Sequence, residues 1–409
     1  MVITLRLFGL LSAGILLMLS ASCTTIGARP TLTSQQFSVP LAAETWSLSA
    51  ADAGYQGDWS VRMRTLHGGR SEGVKVLDVN NGVLSFSVVP TRGMGILSVQ
   101  SGDVRLGWDS PVKEIVNPAF ISLDNCGGLG WLDGFNEWMV RCGYEYAGHP
   151  GQDNGRLLSL HGRIANIPAS SVDVIIEPGP APRIRIAGVV VEQTFKFVNF
   201  TARLEVSTEV GSRSVRLHDR LENHSASDAE YQVIYHGNFG SPLLEAGAEF
   251  VGAVKKLGPF DAYAAKDLGT WTRYLGPTKG YGEQVYCLEP WADAAGQTTC
   301  MLRNKSGSRG IAISYDVNQL PYFALWKNTD TLEDGYVTGL EPATGYPYPK
   351  SLERTAGRVP RIAAGQTKEF RLDYQILPDA AAVAESAIRI QAIQAGRSTT
   401  ISPDPVIVR

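Results

Sequence analysis

The sequence predicts an all-β protein, a large sandwich of antiparallel sheets closed by one short helix near the C-terminus. Three observations lead there. Short runs rich in β-branched and aromatic residues recur along the chain, each bounded by Gly, Pro, Asn or Asp. Helical spacing of apolar residues is almost absent before Ala380. Turns arrive roughly every ten residues, the spacing of a sandwich or barrel rather than of alternating helices and strands.

The elements follow in order. Val74 to Val79 is an alternating strand, Asn80-Asn81-Gly82 breaks it, and Val83 to Val89 resumes it, so the three residues read as a hairpin turn. Further strands are expected at 171–176, 183–191, 193–200, 201–210, 214–221, 232–234, 298–303, 310–315 and 369–377. Val383, Ala387, Ile388, Ile390 and Ile393 fall at helical spacing and predict the single helix over 380–395. No linker rich in Pro, Gly or Ser separates Trp46 from Leu377, which predicts one domain over 46–378 followed by a helix and tail over 379–409. No fixed-period repeat is visible, which argues against a propeller.

The N-terminus sets the expected compartment. Arg6 precedes an apolar run from Leu7 to Leu19, too short for a stable span, and Ser20-Ala21-Ser22-Cys23 follows. Residues 1–22 therefore read as a lipoprotein signal peptide, with Cys23 the lipidated first residue and 23–45 a polar tether. Thr24 after the cysteine points to an outer-membrane lipoprotein of a Gram-negative cell, facing the periplasm or the cell surface. The membrane is then a partner only through the anchor.

Charge excludes one class of partner. Lys and Arg total 37 against 40 Asp and Glu, for a net charge of −3. The basic residues are scattered and form no footprint for nucleic acid. Five cysteines are present. In an oxidising compartment the sequence-near pairs Cys287 with Cys300, across an expected hairpin, and Cys126 with Cys142 are disulfide candidates; four free thiols are the alternative. No C-x-x-C spacing and no metal-like histidine spacing occurs, so no metal is expected.

Six histidines narrow the search for chemistry. His218 and His224 lie in an alternating strand-and-turn segment and read as surface or structural residues, while His67 and His149 sit in loops, His149 as a candidate for a pocket mouth. In Ser159-Leu160-His161-Gly162-Arg163, strand alternation would send His161 and Arg163 to one face. His236 follows an apolar strand and is flanked by Gly237, and Glu341 sits in the apolar, rigid stretch Gly339-Leu340-Glu341-Pro342. A carboxylate there is costly unless paired or used. The bland alternative for His161, His236 and Glu341 is burial with satisfied hydrogen bonds. Trp131, Trp138, Trp326 and Tyr336 are candidates to stack on a ligand ring, although such residues in a sandwich are more often core.

Five blocks together carry a resemblance: Arg92-Gly93-Met94-Gly95-Ile96, Gly128-Leu129-Gly130-Trp131-Leu132, Leu160 to Asn166, Tyr235-His236-Gly237-Asn238-Phe239-Gly240 and Leu340 to Thr344. In this order the chain resembles the galactose-mutarotase-like superfamily, and within it the aldose 1-epimerase-related DUF4432 proteins. The resemblance implies a β-supersandwich and a sugar substrate, with no cofactor. It further implies that His236 is a general acid, Glu341 a general base and His161 a second histidine holding the sugar ring. Arg92, Arg163, Asn238 and Lys327 are candidates for hydroxyl contacts. The family's hydroxyl-binding aspartate has no clear match; Asp330 and Asp334 are possibilities. Two other readings stand beside an epimerase. One is a lyase on uronate-containing glycans, with Arg92, Arg163 and Lys327 neutralising the carboxylate; the other is a carbohydrate-binding protein without turnover.

Overall fold

The computed structural model describes residues 33–407, and two large sheets account for most of them. The nine-stranded sheet runs in the order Gln35–Ser38, Ser171–Glu177, Arg183–Gln193, Asn199–Glu209, Ser214–Asn223, Thr367–Leu377, Gly310–Asp316, Gln297–Arg303 and Glu249–Gly252. Every neighbouring pair in it is antiparallel. The thirteen-stranded sheet contains the strands that matter for the site: β1 (Met139–Tyr144), β2 (Gln232–Phe239), β3 (Gln284–Pro290), β4 (Tyr322–Asn328) and β5 (Val337–Ala343). They lie side by side in the order β1-β2-β5-β4-β3. Helix α1 (Ala380–Gln394) is the long helix of the described residues, started by Asp379, whose side chain accepts a hydrogen bond from the amide of Ala382.

Strand alternation decides which residues make the core. From the larger sheet Met139, Tyr235, Leu325 and Leu340 point between the sheets, where they meet Ile186, Leu204, Val206, Leu217, Leu372 and Tyr374 of the smaller one. Their sequence neighbours point to the opposite face: Val140, Cys142, Ile234 and Ala343 form a second apolar cluster with Trp131, Phe135 and Leu160. That outer face is covered by the chain between about 118 and 167 rather than by solvent. One buried polar knot sits in the core, where Arg141 donates to both carboxylate oxygens of Asp219 and the Tyr235 hydroxyl donates to the same carboxylate at 2.8 Å.

Several sequence expectations change here. The domain begins before Trp46, because Gln35–Ser38 already pairs with Asp173–Ile176 and Thr45–Ser49 pairs with Ser60–Arg64. Within 193–200, residues 194–198 are the turn between two long strands, Gln193 ending the first and Asn199 beginning the second. The segment 80–82 does join two paired strands, but through a longer loop in which Asn81 is buried, its amide donating to Thr208 and to the carbonyls of Glu209 and Ser212. Cys126, Cys142, Cys287 and Cys300 are all free thiols. Cys287 and Cys300 are not on one hairpin: the residues between them carry the chain from the larger sheet to the smaller one, so each strand pairs elsewhere. Cys23 and the leader lie outside the described residues.

Candidate active site

The site grows out of the register between β2 and β5. Ile234 pairs with Ala343 and Gly237 with Leu340, which sets His236 directly across from Glu341, both on the outer face. Cross-strand neighbours on one face approach closely, and His236 Nε2 lies 3.2 Å from Glu341 Oε1. The contact is close without being aligned as a hydrogen bond, so Oε1 keeps an unmet hydrogen-bonding capacity. Gly339, two residues before Glu341, makes room for the carboxyl: a Cβ there would collide with Glu341 Oε1 and press on Trp326.

Around the pair lies a cavity of about 210 Å³, lined by Trp131, Phe135, Trp326, His161, His149, Glu283 and apolar side chains. The rings form a box. Phe135 stands edge-on to His236 at 5.5 Å, Trp326 at 5.6 Å and His161 at 5.1 Å. Trp131 stands edge-on to His161 at 4.8 Å. This volume is below the roughly 300–1,000 Å³ of drug-sized sites, so the enclosed space suits one sugar ring.

His161 reaches the cavity by a turn and not by strand alternation. Its backbone is left-handed, with φ of 57°, and Gly162 follows at 73°, packed so closely on the carbonyls of Tyr146 and Gly143 that a side chain has no room. Arg163 consequently leaves in another direction, donating to Thr194 and lying 3.4 Å from both Glu145 and Glu192. The expectation that His161 and Arg163 share a face is therefore corrected.

Burial sets the electrostatics. His236 is 4 % exposed, and loss of hydration pushes its pKa down to about 4, with the smaller effect of the Asn238 hydrogen bond opposing. His161 is driven well below the usual imidazole range by burial and by the neighbouring His236 and His149. Glu341 is held well above the usual carboxyl range, first by burial and then by the charge of Glu283. The cavity thus favours a neutral imidazole beside a neutral carboxylic acid.

Of the other sequence-predicted residues, Trp131 lines the cavity and Asn238 supports His236 from behind, its Oδ1 2.8 Å from Nδ1. Arg92 is fully buried elsewhere, paired with Glu137 at 2.7 Å and bonded to the Val116 carbonyl and Asn166. Lys327 points between the sheets, its ammonium donating to the carbonyls of Thr270, Trp271 and Arg273. Tyr336 donates to the Leu275 carbonyl, and Trp138 belongs to the inter-sheet core. Asp330 accepts from the amides of Gly280 and Thr331, and Asp334 accepts from the Thr331 hydroxyl. The acid that lines the cavity beside Glu341 is Glu283, which accepts a hydrogen bond from Trp326 Nε1 at 3.0 Å. It was not singled out, because a lone glutamate in Gly282-Glu283-Gln284 looks like any surface acid; Phe135 was missed for the corresponding reason among aromatics.

Two stacked, mostly antiparallel sheets with a histidine–carboxyl pair in a cavity on one outer face define a galactose-mutarotase-like β-supersandwich. Residues 71–376 match the family described as Domain of unknown function (DUF4432), and the chain belongs to that family. A crystal structure from Klebsiella pneumoniae, described as a "putative aldose 1-epimerase", is 41 % identical, covering 92 % of this chain and 100 % of its own, with a TM-score of 0.89. Galactose 1-epimerase from Lactobacillus acidophilus shares the fold at 8 % identity and a TM-score of 0.51, over 77 % of this chain and 97 % of its own. A search of curated proteins found no match.

Proposed function

We propose that this protein is an aldose 1-epimerase-like enzyme that interconverts the anomers of an uncharged sugar, with His236 and Glu341 as its acid–base pair. The observation that carries this reading is the His236–Glu341 pair, 3.2 Å apart in the wall of a cavity lined by aromatic rings. Trp131 Nε1, His161 Nδ1 and Glu341 Oε1 are all buried without a hydrogen-bond partner, and all three side chains line it. The homology to the Klebsiella protein supports the same substrate class.

The spacing of the pair suits anomeric chemistry. Ring opening removes the proton of the C1 hydroxyl and protonates the ring oxygen, and both oxygens are bonded to one carbon. Two groups 3.2 Å apart on the same face can serve both atoms at once. Each positioned acid or base contributes about 100-fold or more. Aromatic walls exclude water and present flat surfaces to the C–H face of a sugar.

The lyase reading loses its support with the cations. Arg92, Arg163 and Lys327 are tied to other partners, whereas Glu283 in the cavity lining would repel a uronate. Exchange between anomeric protons, followed by NMR on a panel of neutral aldoses, uronic acids and sugar phosphates, tests the proposal. Acceleration confined to neutral aldoses, and reduced about 100-fold or more in Glu341→Gln, is the expected result. No acceleration on any aldose would overturn it.

A further inference from the structure

Resting on that reading, we infer that His149 is a specificity-determining residue: its imidazole accepts a hydrogen bond from the hydroxyl on C4, across the ring from the anomeric carbon, so the substrate is an aldose with that hydroxyl free. The chain around His149 holds the ring still. Gly148 has a φ of 85°, and a Cβ there would lie 2.6 Å from the Tyr348 carbonyl oxygen and 2.8 Å from the Pro347 carbonyl carbon, so a glycine is what lets these two stretches approach. The His149 amide donates to the Pro347 carbonyl at 2.8 Å, and Nδ1 of its ring lies 2.5 Å from the same oxygen. The ring stacks on Phe260 at 5.0 Å and 28°, and Phe260 stacks on Tyr348 at 4.1 Å and 14°.

The contact with Pro347 also fixes which nitrogen is bare. A carbonyl oxygen only accepts, so Nδ1 carries the proton, and in the neutral ring Nε2 is then a lone pair. Nε2 has no hydrogen-bond partner among the described residues, and the side chain lines the cavity. An immobilised acceptor without a donor fits a substrate hydroxyl.

The sheet register places this acceptor relative to the acid–base pair. Phe260 and Tyr348 cluster with Cys287 of β3. Cys287 pairs with Ala324 of β4, and Ala324 with Glu341 of β5, so the three stand in one row on the outer face. At about 4.8 Å per strand, Cys287 is roughly 10 Å from Glu341, room for one pyranose between the stack and the carboxyl. The other lining acceptors are already assigned: His161 stands beside His236 at 5.1 Å, and Glu283 accepts from Trp326. Leu129, Leu132, Leu160 and Val285 offer a hydroxyl no partner. A sugar whose C1 meets His236 and Glu341 turns C4, the ring carbon opposite C1, towards His149. An O4 engaged in a glycosidic bond has no proton to give, so a free monosaccharide is accepted and the reducing end of a 4-linked chain is not.

D-Glucose and D-galactose differ only at C4, and removing O4 from either gives the same 4-deoxyhexose, so three sugars isolate the contact. In anomer exchange by the native protein, kcat/KM for the 4-deoxyhexose is expected to fall about 10-fold or more below that of the better epimer. In His149→Phe, which keeps a ring on Phe260, the three sugars should agree to within about 3-fold. A 4-deoxyhexose exchanged as fast as the better epimer, or a 10-fold gap that persists in His149→Phe, would overturn the inference. Nitrogen-15 NMR of the native protein, titrated with the same sugars, needs neither turnover nor a variant. His149 Nε2 should be bare in the free protein, shift with the better epimer and stay in place with the 4-deoxyhexose. A proton on Nε2 in the free protein, or a sugar that moves the His161 resonances and leaves those of His149 unchanged, would also overturn it. If Nε2 responds while no aldose is exchanged, the epimerase reading fails and the contact stands; if neither histidine responds to any of the sugars, both fall.

Discussion

An imidazole and a carboxyl that face each other across two strands, each stripped of most of its water, are an expensive pair to bury. Neutrality reduces the cost, and the small residues nearby make the geometry possible. Gly339 is the most exposed to test, since the space a Cβ would take is the space Glu341 occupies. Gly339→Ala is expected to displace the carboxyl by the order of 1 Å and to lower kcat about 100-fold, with circular dichroism unchanged. Activity near the native value would mean that the position of Glu341 is not what the reaction depends on. The residue scale also shows where sequence reading stops. His236 and Glu341 stand out through their apolar, glycine-flanked settings, whereas Arg92, Arg163 and Lys327 enter through the resemblance, Arg163 also through strand alternation, and the partner each cation takes lies elsewhere in the fold.

At the scale of elements, two kinds of local rule met with different success. Period-two alternation located most strands, because each has one face on a core and must repeat apolar residues every second position. Alternation says nothing about which strands become neighbours, so the pairing that sets His236 opposite Glu341 was not legible, nor was the crossing between sheets that separates Cys287 from Cys300. The segment around His161 was read as a strand and is a left-handed turn, a distinction that rests on Gly162. Gly162→Ala should cost about 1–3 kcal/mol in urea unfolding, with the m-value unchanged, because a methyl there meets two backbone carbonyls at an unfavourable φ. A stability within experimental error of the native protein would show that the turn tolerates a side chain.

The whole molecule couples its stability to the site through protons. His236 and His161 are folded as neutral rings with depressed pKa values, so the unfolded chain binds more protons below the ordinary histidine range. The contribution of His236 is complete above about pH 6.5 and is lost as pH falls towards about 4, and His161 acts in the same direction. Glu341 has the opposite sign: its raised pKa adds stability in acid that is lost as pH rises through its folded value. Between pH 6.5 and 4 two histidines stand against one carboxyl, and His236 alone accounts for about 3 kcal/mol. His236→Gln should therefore flatten the fall of Tm across that range, and an unchanged slope would contradict neutral burial of the ring.

The most direct test of the central claim is a crystal structure of the protein soaked with a neutral aldose. Our account requires the anomeric carbon to lie at the bottom of the aromatic box, with its hydroxyl and its ring oxygen each about 2.6–3.2 Å from His236 Nε2 or Glu341 Oε1. A sugar bound with its reducing end turned away from that pair, or held on another surface of the sandwich, would contradict it.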